Sequence, residues 1–294
     1  MANSVDFGVC LTNYGDVTSP AASIGTARLA EELGYASVWT SDHVLVPPEF
    51  GRRYGDAFLD PFICLAYAAA ETTRVKLGTT VVVVPLRSPF AQAKLLSTLD
   101  YLSGGRVIFG IGVGWDREEF EALGIPFAER GAMTDEYVAI MQELWTSPSP
   151  RFTGRYHSFF GIAFEPKPVQ RPIPIWVGGY GPASVRRAVR LRAPWHPTGL
   201  SPEKVTEMLT YMRSITSDPV PLTFRMYLRP RDIRPQPMRS AQTGFEGDRR
   251  ETIEHIRQYL SLPITHLVFE FVVSCAEDLR SCFRYVWEEV LPGL

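Results

Sequence analysis

Residues Asp100–Phe120 read DYLSGGRVIFGIGVGWDREEF: a helix end, a turn, a strand and a second helix start in close succession. Leu99, Tyr101 and Leu102 close a helical pattern. Gly104 and Gly105 stop it, because glycine enters the left-handed conformation of a helix terminus without steric cost. Val107–Ile108–Phe109 then form an apolar run of strand length with no polar alternation, as expected of a strand buried on both faces of a parallel sheet. Gly110, Gly112 and Gly114 alternate where this strand gives out, and Trp115–Glu119 resume helical spacing with acids in the first turn. A glycine-lined strand end that leads into a helix exposes backbone N–H groups and suits a phosphate or a flat ring; the same glycines also serve tight strand–helix packing. The spacing is Gly-x-Gly-x-Gly rather than GxGxxG, so no dinucleotide-binding fold is predicted from it.

Outward from this stretch the chain alternates. Val5–Thr12 reads as a first buried strand, Ala22–Leu33 as an amphipathic helix stopped by Gly34, and Ser37–Ser41 as a second strand with Asp42–His43 at its end. A Pro- and Gly-rich loop, Val44 to about Phe58, leads to Asp60–Pro61, which opens the next helix in cap-then-proline order. Val75–Val84 is a third strand rich in β-branched residues, and Ser88–Pro89 starts the helix that runs into the quoted stretch. After it come a helix at Gly131–Trp145 and an aromatic excursion, Phe152–Phe164, that reads as a hairpin or loop insertion. Strands follow at Ile173–Val177, around Trp195, at Leu222–Leu228 and at His266–Val273. Helices are expected at Pro182–Arg192, Ser201–Ile215, Glu251–Leu262 and Glu277–Val290, with a Pro/Arg-rich loop at Arg229–Arg239. Eight strand–helix units with no composition break predict a single (β/α)₈ barrel over residues 1–294, with an insertion after the strand-four unit. A doubly wound sheet remains open, since the sixth strand is the weakest.

Bulk properties exclude several classes. The net charge is −2 with interspersed signs, which gives no footprint for nucleic acid or a membrane surface. Apolar residues make up 45% and charged residues 21%, as in ordinary globular proteins. Cys10, Cys64, Cys275 and Cys282 show neither CxxC nor paired metal spacing and read as buried thiols in a reducing compartment. With no secretory pattern at the N-terminus and no membrane-length apolar run, a cytoplasmic protein is expected.

In a barrel the site lies at the C-terminal ends of the strands, and the unusual residues fall there. His43 is a candidate acid, base or hydrogen-bond donor to a ring ligand, with an ordering role for the loop as the bland alternative. Asp42 either orients the imidazole or caps the loop. No metal is expected, because no further His, Asp or Glu recurs at ligand spacing. Gly178–Gly179–Tyr180 opens a helix whose N-terminus favours an anion, or is a routine turn. Arg186 and Arg187 follow one turn later and more often would be solvated. Arg225 shares a face with Tyr227 and Arg229, and Glu270 interrupts an apolar run. Arg225 and Glu270 are therefore read as an interior ion pair, or as a polar floor beneath a substrate.

Three segments, LAEELGYASVWTSDHVLVP, RVKLGTTVVVVPLRSPFAQAKLLSTLDYLSGGRVIFGIGVGWDREEFEALGIPF and PKPVQRPIPIWVGG, resemble the bacterial-luciferase-like flavin and deazaflavin oxidoreductases. The resemblance covers roughly residues 24–200 and is nearest the branch that uses coenzyme F420. It implies a (β/α)₈ barrel with the tricyclic ring at its mouth. A bulge at the end of strand three, often with a non-proline cis peptide, would back the ring and carries onto Val81, Val82 and Val83. Asp42 and His43 would sit beside the ring edge. Gly112, Val113, Gly114 and Trp115, with Gly178, Gly179 and Tyr180, resemble the parts that hold the cofactor's polar chain and phosphate. The Phe152–Phe164 excursion corresponds to the insertion that covers the site. The family's Gly-Asp-Gly-Trp near strand six is replaced by Ala193–Pro194–Trp195–His196–Pro197, which makes Trp195 and His196, with Arg225, candidates on the substrate side. The implied activity is hydride transfer between F420 and a small organic molecule. The rivals are an FMN-dependent monooxygenase using O₂ and a non-catalytic flavin-binding protein. A homodimer is usual in the family, and the apolar second and third helices could form its face.

Overall fold

The turn that ends the quoted helix is built as the sequence predicts. Gly104 and Gly105 take φ of +71° and +84°, and their N–H groups close the helix on the carbonyls of Asp100 and Tyr101. The computed structural model describes the chain apart from residues 1–4, 19, 47, 49–50, 52–54, 234–243 and 274.

Eight strands run β1 (Asp6–Cys10), β2 (Ser37–Thr40), β3 (Lys76–Thr79), β4 (Val107–Gly112), β5 (Ile175–Gly178), β6 (Trp195–His196), β7 (Leu222–Pro230) and β8 (Ile264–Phe271). Each is followed by a helix: α1 (Pro20–Leu33), α2 (Pro61–Glu71), α3 (Pro89–Ser103), α4 (Arg130–Thr146), α5 (Pro182–Leu191), α6 (Pro202–Ile215), α7 (Arg249–Leu260) and α8 (Ala276–Tyr285). Neighbouring strands pair in parallel in the order β7-β8-β1-β2-β3-β4-β5-β6. The pairing of Trp195 with Leu222 joins β6 to β7 and closes the barrel, which settles the question of a doubly wound sheet.

Alternation hidden in the apolar runs fills two layers. On β8, Leu267, Phe269 and Phe271 join the core between barrel and helices, whereas His266, Val268 and Glu270 are the alternate positions. Cys10, Trp39, Ile108, Trp176 and Val268 form a second apolar cluster inside the barrel. Trp39 and Trp176 lie 4.7 Å apart by ring centroid, with His196 at 5.6 and 5.2 Å from them, so the interior is packed side chain rather than channel.

Beyond shifts of a few residues at element ends, three features differ from the sequence reading. The third strand does not run unbroken to Val84. It stops at Thr79, crosses a cis Thr80–Val81 bond, regains two paired residues at Val82–Val83, and ends in a 3₁₀ turn at Val84–Leu86. β7 extends through Arg229 and Pro230, since Leu228–Pro230 pair with the short strand Phe245–Gly247; residues 234–239 of the expected loop lie outside the described residues. The last helix loosens into a π turn at Val286–Val290. The excursion is a hairpin as expected, Phe152–Thr153 against Ser158–Phe159, with the backbone N–H groups of Arg155, Tyr156 and His157 gathered on the Glu136 carboxylate.

Two interior histidines give the fold an acid limit. Burial, with the charges of Arg225 and His266, pushes His196 down to about 3, and burial pushes His266 down to about 4. Both values lie below the unfolded value near 6.5, so the unfolded chain takes up protons first as pH falls. Their contribution is complete above about pH 6.5 and is lost as pH falls toward 4 and then 3. For His266 alone the loss is on the order of 3 kcal/mol. Thermal denaturation followed against pH should show a midpoint that is flat near neutrality and falls steadily below about pH 6.5. A midpoint unchanged down to pH 4 would contradict the neutral, buried state of both rings.

Candidate active site at the C-terminal strand ends

β2 ends on Thr40, and the chain after it is fastened by Asn13, three residues beyond the end of β1. The Asn13 amide donates to the carbonyls of Ser41 (2.9 Å) and Leu59 (2.6 Å), and its oxygen accepts from the Ser41 N–H (2.8 Å). One side chain thus does the work of a strand partner for both ends of the long loop.

Asp42 faces Arg87 and the Val83 amide. Its carboxylate, 3% exposed, takes a bidentate bond from Arg87 (2.7 and 2.8 Å) and accepts the Val83 N–H (3.0 Å). Burial pushes the Asp42 carboxyl up, and the Arg87 guanidinium, the Val83 amide and His43 act against that rise. Arg87 also reaches Asp60 (3.1 Å), the residue that caps α2 through the N–H groups of Phe62 and Ile63.

His43 is held by Glu119. Its Nδ1 lies 2.9 Å from Glu119 Oε2, and Glu119 Oε1 accepts the N–H groups of Val44 (2.7 Å) and Leu45 (3.1 Å). Glu119 sits on a short helix, Arg117–Ala122, capped by Asp116 through the N–H groups of Glu118 and Glu119. Toward an ionised carboxylate, which only accepts, Nδ1 is the donor of this pair. Phe58 and Trp115 meet the imidazole edge-on, at 5.3 and 5.8 Å between centroids, and Phe58 stacks on Tyr14 at 5.2 Å.

The bulge Thr80–Val83 lies across the same rim. Val81 explains two of the glycines. A methyl added at Gly112 or at Gly178 would lie 2.6 or 2.7 Å from a Val81 methyl, so β4 and β5 are bare there to admit the Val81 side chain. The glycine pattern first serves close approach of backbone to protein. Val113 and Gly179 are half-buried, while Trp115 (58%) and Tyr180 (63%) are exposed at the rim.

The candidates at strands six and seven part company. Trp195 is fully buried against α5, with its indole N–H on the Gly179 carbonyl (3.0 Å) and the Ser184 hydroxyl (3.1 Å). His196 lies inside the barrel beneath the bulge, between the hydroxyls of Thr80 (3.0 Å) and Thr223 (2.8 Å). Arg225 forms the interior ion pair with Glu270, and Glu270 also accepts the Tyr14 hydroxyl. Arg186 and Arg187 are not merely solvated: Arg186 bonds the Tyr211 hydroxyl (2.8 Å) and Arg187 the Asp135 carboxylate (2.6 Å). Among the described residues no group of His, Cys, Asp and Glu could hold a metal ion, and no helix is long and apolar enough to cross a membrane.

Sequence reasoning missed Glu119, Arg87 and Asn13. Glu118 and Glu119 are indistinguishable as first-turn acids, and only the fold shows that the second turns inward.

Comparison with known proteins bears on this rim. An uncharacterized protein of Mycobacterium tuberculosis (strain ATCC 25618 / H37Rv) is 35% identical over 187 residues, 60% of this chain and 65% of that protein. A Kineococcus radiotolerans protein named F420-dependent glucose-6-phosphate dehydrogenase is 36% identical over 176 residues, 58% of this chain and 50% of its own length. The matches thus span about two-thirds and half of these relatives. Among solved structures, the monooxygenase RslO1 from Streptomyces bottropensis superposes with a TM-score of 0.80 at 25% identity, covering 98% of this chain and 99% of that one. An F420-dependent secondary alcohol dehydrogenase, solved with an F420-acetone adduct, shares the fold with a TM-score of 0.80 at 18% identity and 99% coverage of both chains. Residues 5–221, which carry the strand ends from β1 to β6 and both partners of the His43–Glu119 pair, match the model of the family described as Luciferase-like monooxygenase, and the chain belongs to that family.

Proposed function

We propose that this chain is an oxidoreductase that moves a hydride between coenzyme F420 and a small organic substrate at the rim around His43. The observation that carries the reading is the buried His43–Glu119 pair, set between two aromatic rings at the strand ends. An apolar shelf with one proton-bearing group at its edge fits a flat tricyclic ring. The half-buried Val81 and Val113 and the exposed Trp115 indole offer the shelf, and His43 the edge. Gly179 and Tyr180, ahead of the α5 N-terminus, fit the polar chain. When bound, F420 supplies the hydride-carrying carbon of its deazaflavin. This chain's part is to hold the reactants in register, to exclude water, and to exchange a proton at His43 Nε2.

The 36% identity to a relative named for F420 supports this cofactor. A second reading, an FMN-dependent monooxygenase, is favoured by the 25% identity to a solved monooxygenase over nearly the whole chain. Equilibrium binding of purified protein to F420 and to FMN, side by side, separates the two. Binding of F420 alone supports hydride transfer, and preference for FMN moves the reading to oxygen chemistry. Binding of neither overturns both.

We also propose a homodimer through the outer faces of α2 and α3. Ile63 (57%), Tyr67 (56%) and Leu102 (77%) are exposed there, and α2 carries no charge before Glu71. A twofold pair needs one self-complementary patch, which these two adjacent helices offer. Sedimentation should give a dimer for the wild type and a monomer for Ile63→Lys/Tyr67→Lys. A monomeric wild type sinks the idea.

A further inference from the structure

We propose that Arg225 and Asp42 are positioning residues that pin the two ends of the Thr80–Val83 crossing, and so hold Val81 as a fixed shelf for the cofactor ring. The proposal rests on the reading of the site given above. At one end the Thr80 carbonyl accepts Arg225 Nη1 from β7, and also the Ser41 hydroxyl at 3.3 Å. At the other, the Val83 N–H donates to Asp42 at the end of β2 (3.0 Å). The two pins are of opposite kind, a cation on a carbonyl and an anion on an amide, and they come from different strands, β7 and the end of β2.

Each pin is itself held. Glu270 pairs with Arg225 and accepts the Tyr14 hydroxyl; Arg87 grips Asp42 with two bonds and leans on Asp60. Beneath, His196 holds the Thr80 hydroxyl (3.0 Å). The backbone on either side is tied into the barrel, with the Thr80 N–H on Thr40 (2.7 Å) and Val82 and Val83 paired with Ile111 and Gly112.

Energetics favour a geometric role. A buried ion pair costs desolvation, and apolar residues of similar volume often replace it without loss of stability. Two such pairs on one short backbone crossing therefore contribute little net stability. What they supply is direction, because charge-assisted bonds to a specific carbonyl and a specific amide fix where the segment stands.

The test removes one pair without leaving a lone charge. Arg225→Met/Glu270→Met is compared with Arg225→Lys, which retains a cationic donor. Hydrogen–deuterium exchange of the segment spanning residues 79–86 is measured in cofactor-free protein, and F420 and FMN binding by fluorescence. The double variant is expected to keep a melting point near the wild type, to exchange this segment about tenfold faster, and to bind cofactor about tenfold more weakly. Arg225→Lys is expected to recover part of both. A folded double variant with unchanged exchange and unchanged affinity overturns the proposal. If the double variant does not fold, unchanged exchange in Asp42→Ala/Arg87→Met, which removes the other pin together with its counter-ion, overturns it equally. Exchange is read without cofactor, so wild-type protein that binds neither F420 nor FMN defeats the proposed function and leaves the pinning to be decided by exchange.

Discussion

His43→Ala is expected to lower kcat by about two to four orders of magnitude, the range lost with a positioned acid–base group, while cofactor affinity stays within about threefold. The split follows from geometry. The imidazole meets Trp115 and Phe58 edge-on and is tied through Nδ1 to Glu119, so its work is done at one nitrogen. A group that exchanges a proton in the transition state lowers kcat when removed, whereas one that only binds raises KM. Glu119→Gln tests the same arrangement from behind. Glutamine is isosteric and its oxygen still serves the N–H groups of Val44 and Leu45, but it no longer places an anion on Nδ1. Its expected cost is smaller, about tenfold to a hundredfold in kcat, with melting little changed. Steady-state kinetics on both variants decide the matter. Undiminished turnover in His43→Ala would remove the histidine from the mechanism, and a fall in KM-linked binding alone would make it a binding residue.

Much of the frame was legible because the barrel repeats one local rule. Glycine after a helix, an apolar run, then a cap-and-proline helix start recur at Gly104–Gly105, Asp60–Pro61 and Ser201–Pro202, and each appears in the structure as a helix terminus. The strand-end positions of His43 and Gly179 followed from that frame, and the bulge at Val81 from the resemblance alone. Partnership was not legible. Asp42 and His43 are adjacent in sequence, yet strand geometry turns one to Arg87 and the other to Glu119, 76 positions away. Trp195 and His196 divide in the same way, one outward to α5 and one inward beneath Thr80. Alternation along a strand separates neighbours that a motif reading takes together. Arg225 with Glu270 was readable as a pair, because two buried charges on adjacent strands need one another. Their grip on the Thr80 carbonyl was not, since it depends on a break in a strand that looked continuous.

Gly110→Ala is expected to be the most damaging single-methyl change in the barrel wall. The added carbon would lie 1.8 Å from the Thr79 carbonyl oxygen and 2.9 Å from its carbon. These are backbone atoms, so no side-chain rotation relieves the overlap, and β3 and β4 must separate by more than an ångström. The joint has little to spare. β3 and β4 pair only at Leu77–Val107 and Gly78–Ile108 before the crossing, and the Thr79 hydroxyl bonds the Gly110 carbonyl itself (2.8 Å). Displacement there loosens dispersion contacts on both strands and unseats the backbone that leads into Thr80, so the cost should exceed about 4 kcal/mol. Two other glycines calibrate it. At Gly124 an added methyl meets nothing within 4 Å, but φ is +69°, which predicts a loss of about 1 kcal/mol from conformation alone. At Gly25, within α1, there is also nothing within 4 Å and no such φ, so alanine should stabilise by up to about 1 kcal/mol. Urea denaturation of the three variants should rank them Gly25→Ala, Gly124→Ala, Gly110→Ala in falling stability, the last reaching loss of soluble protein. A Gly110→Ala protein that unfolds at the wild-type midpoint would mean that β3 and β4 do not meet as closely as the bulge requires. The shelf argued for Val81 would then lose its wall.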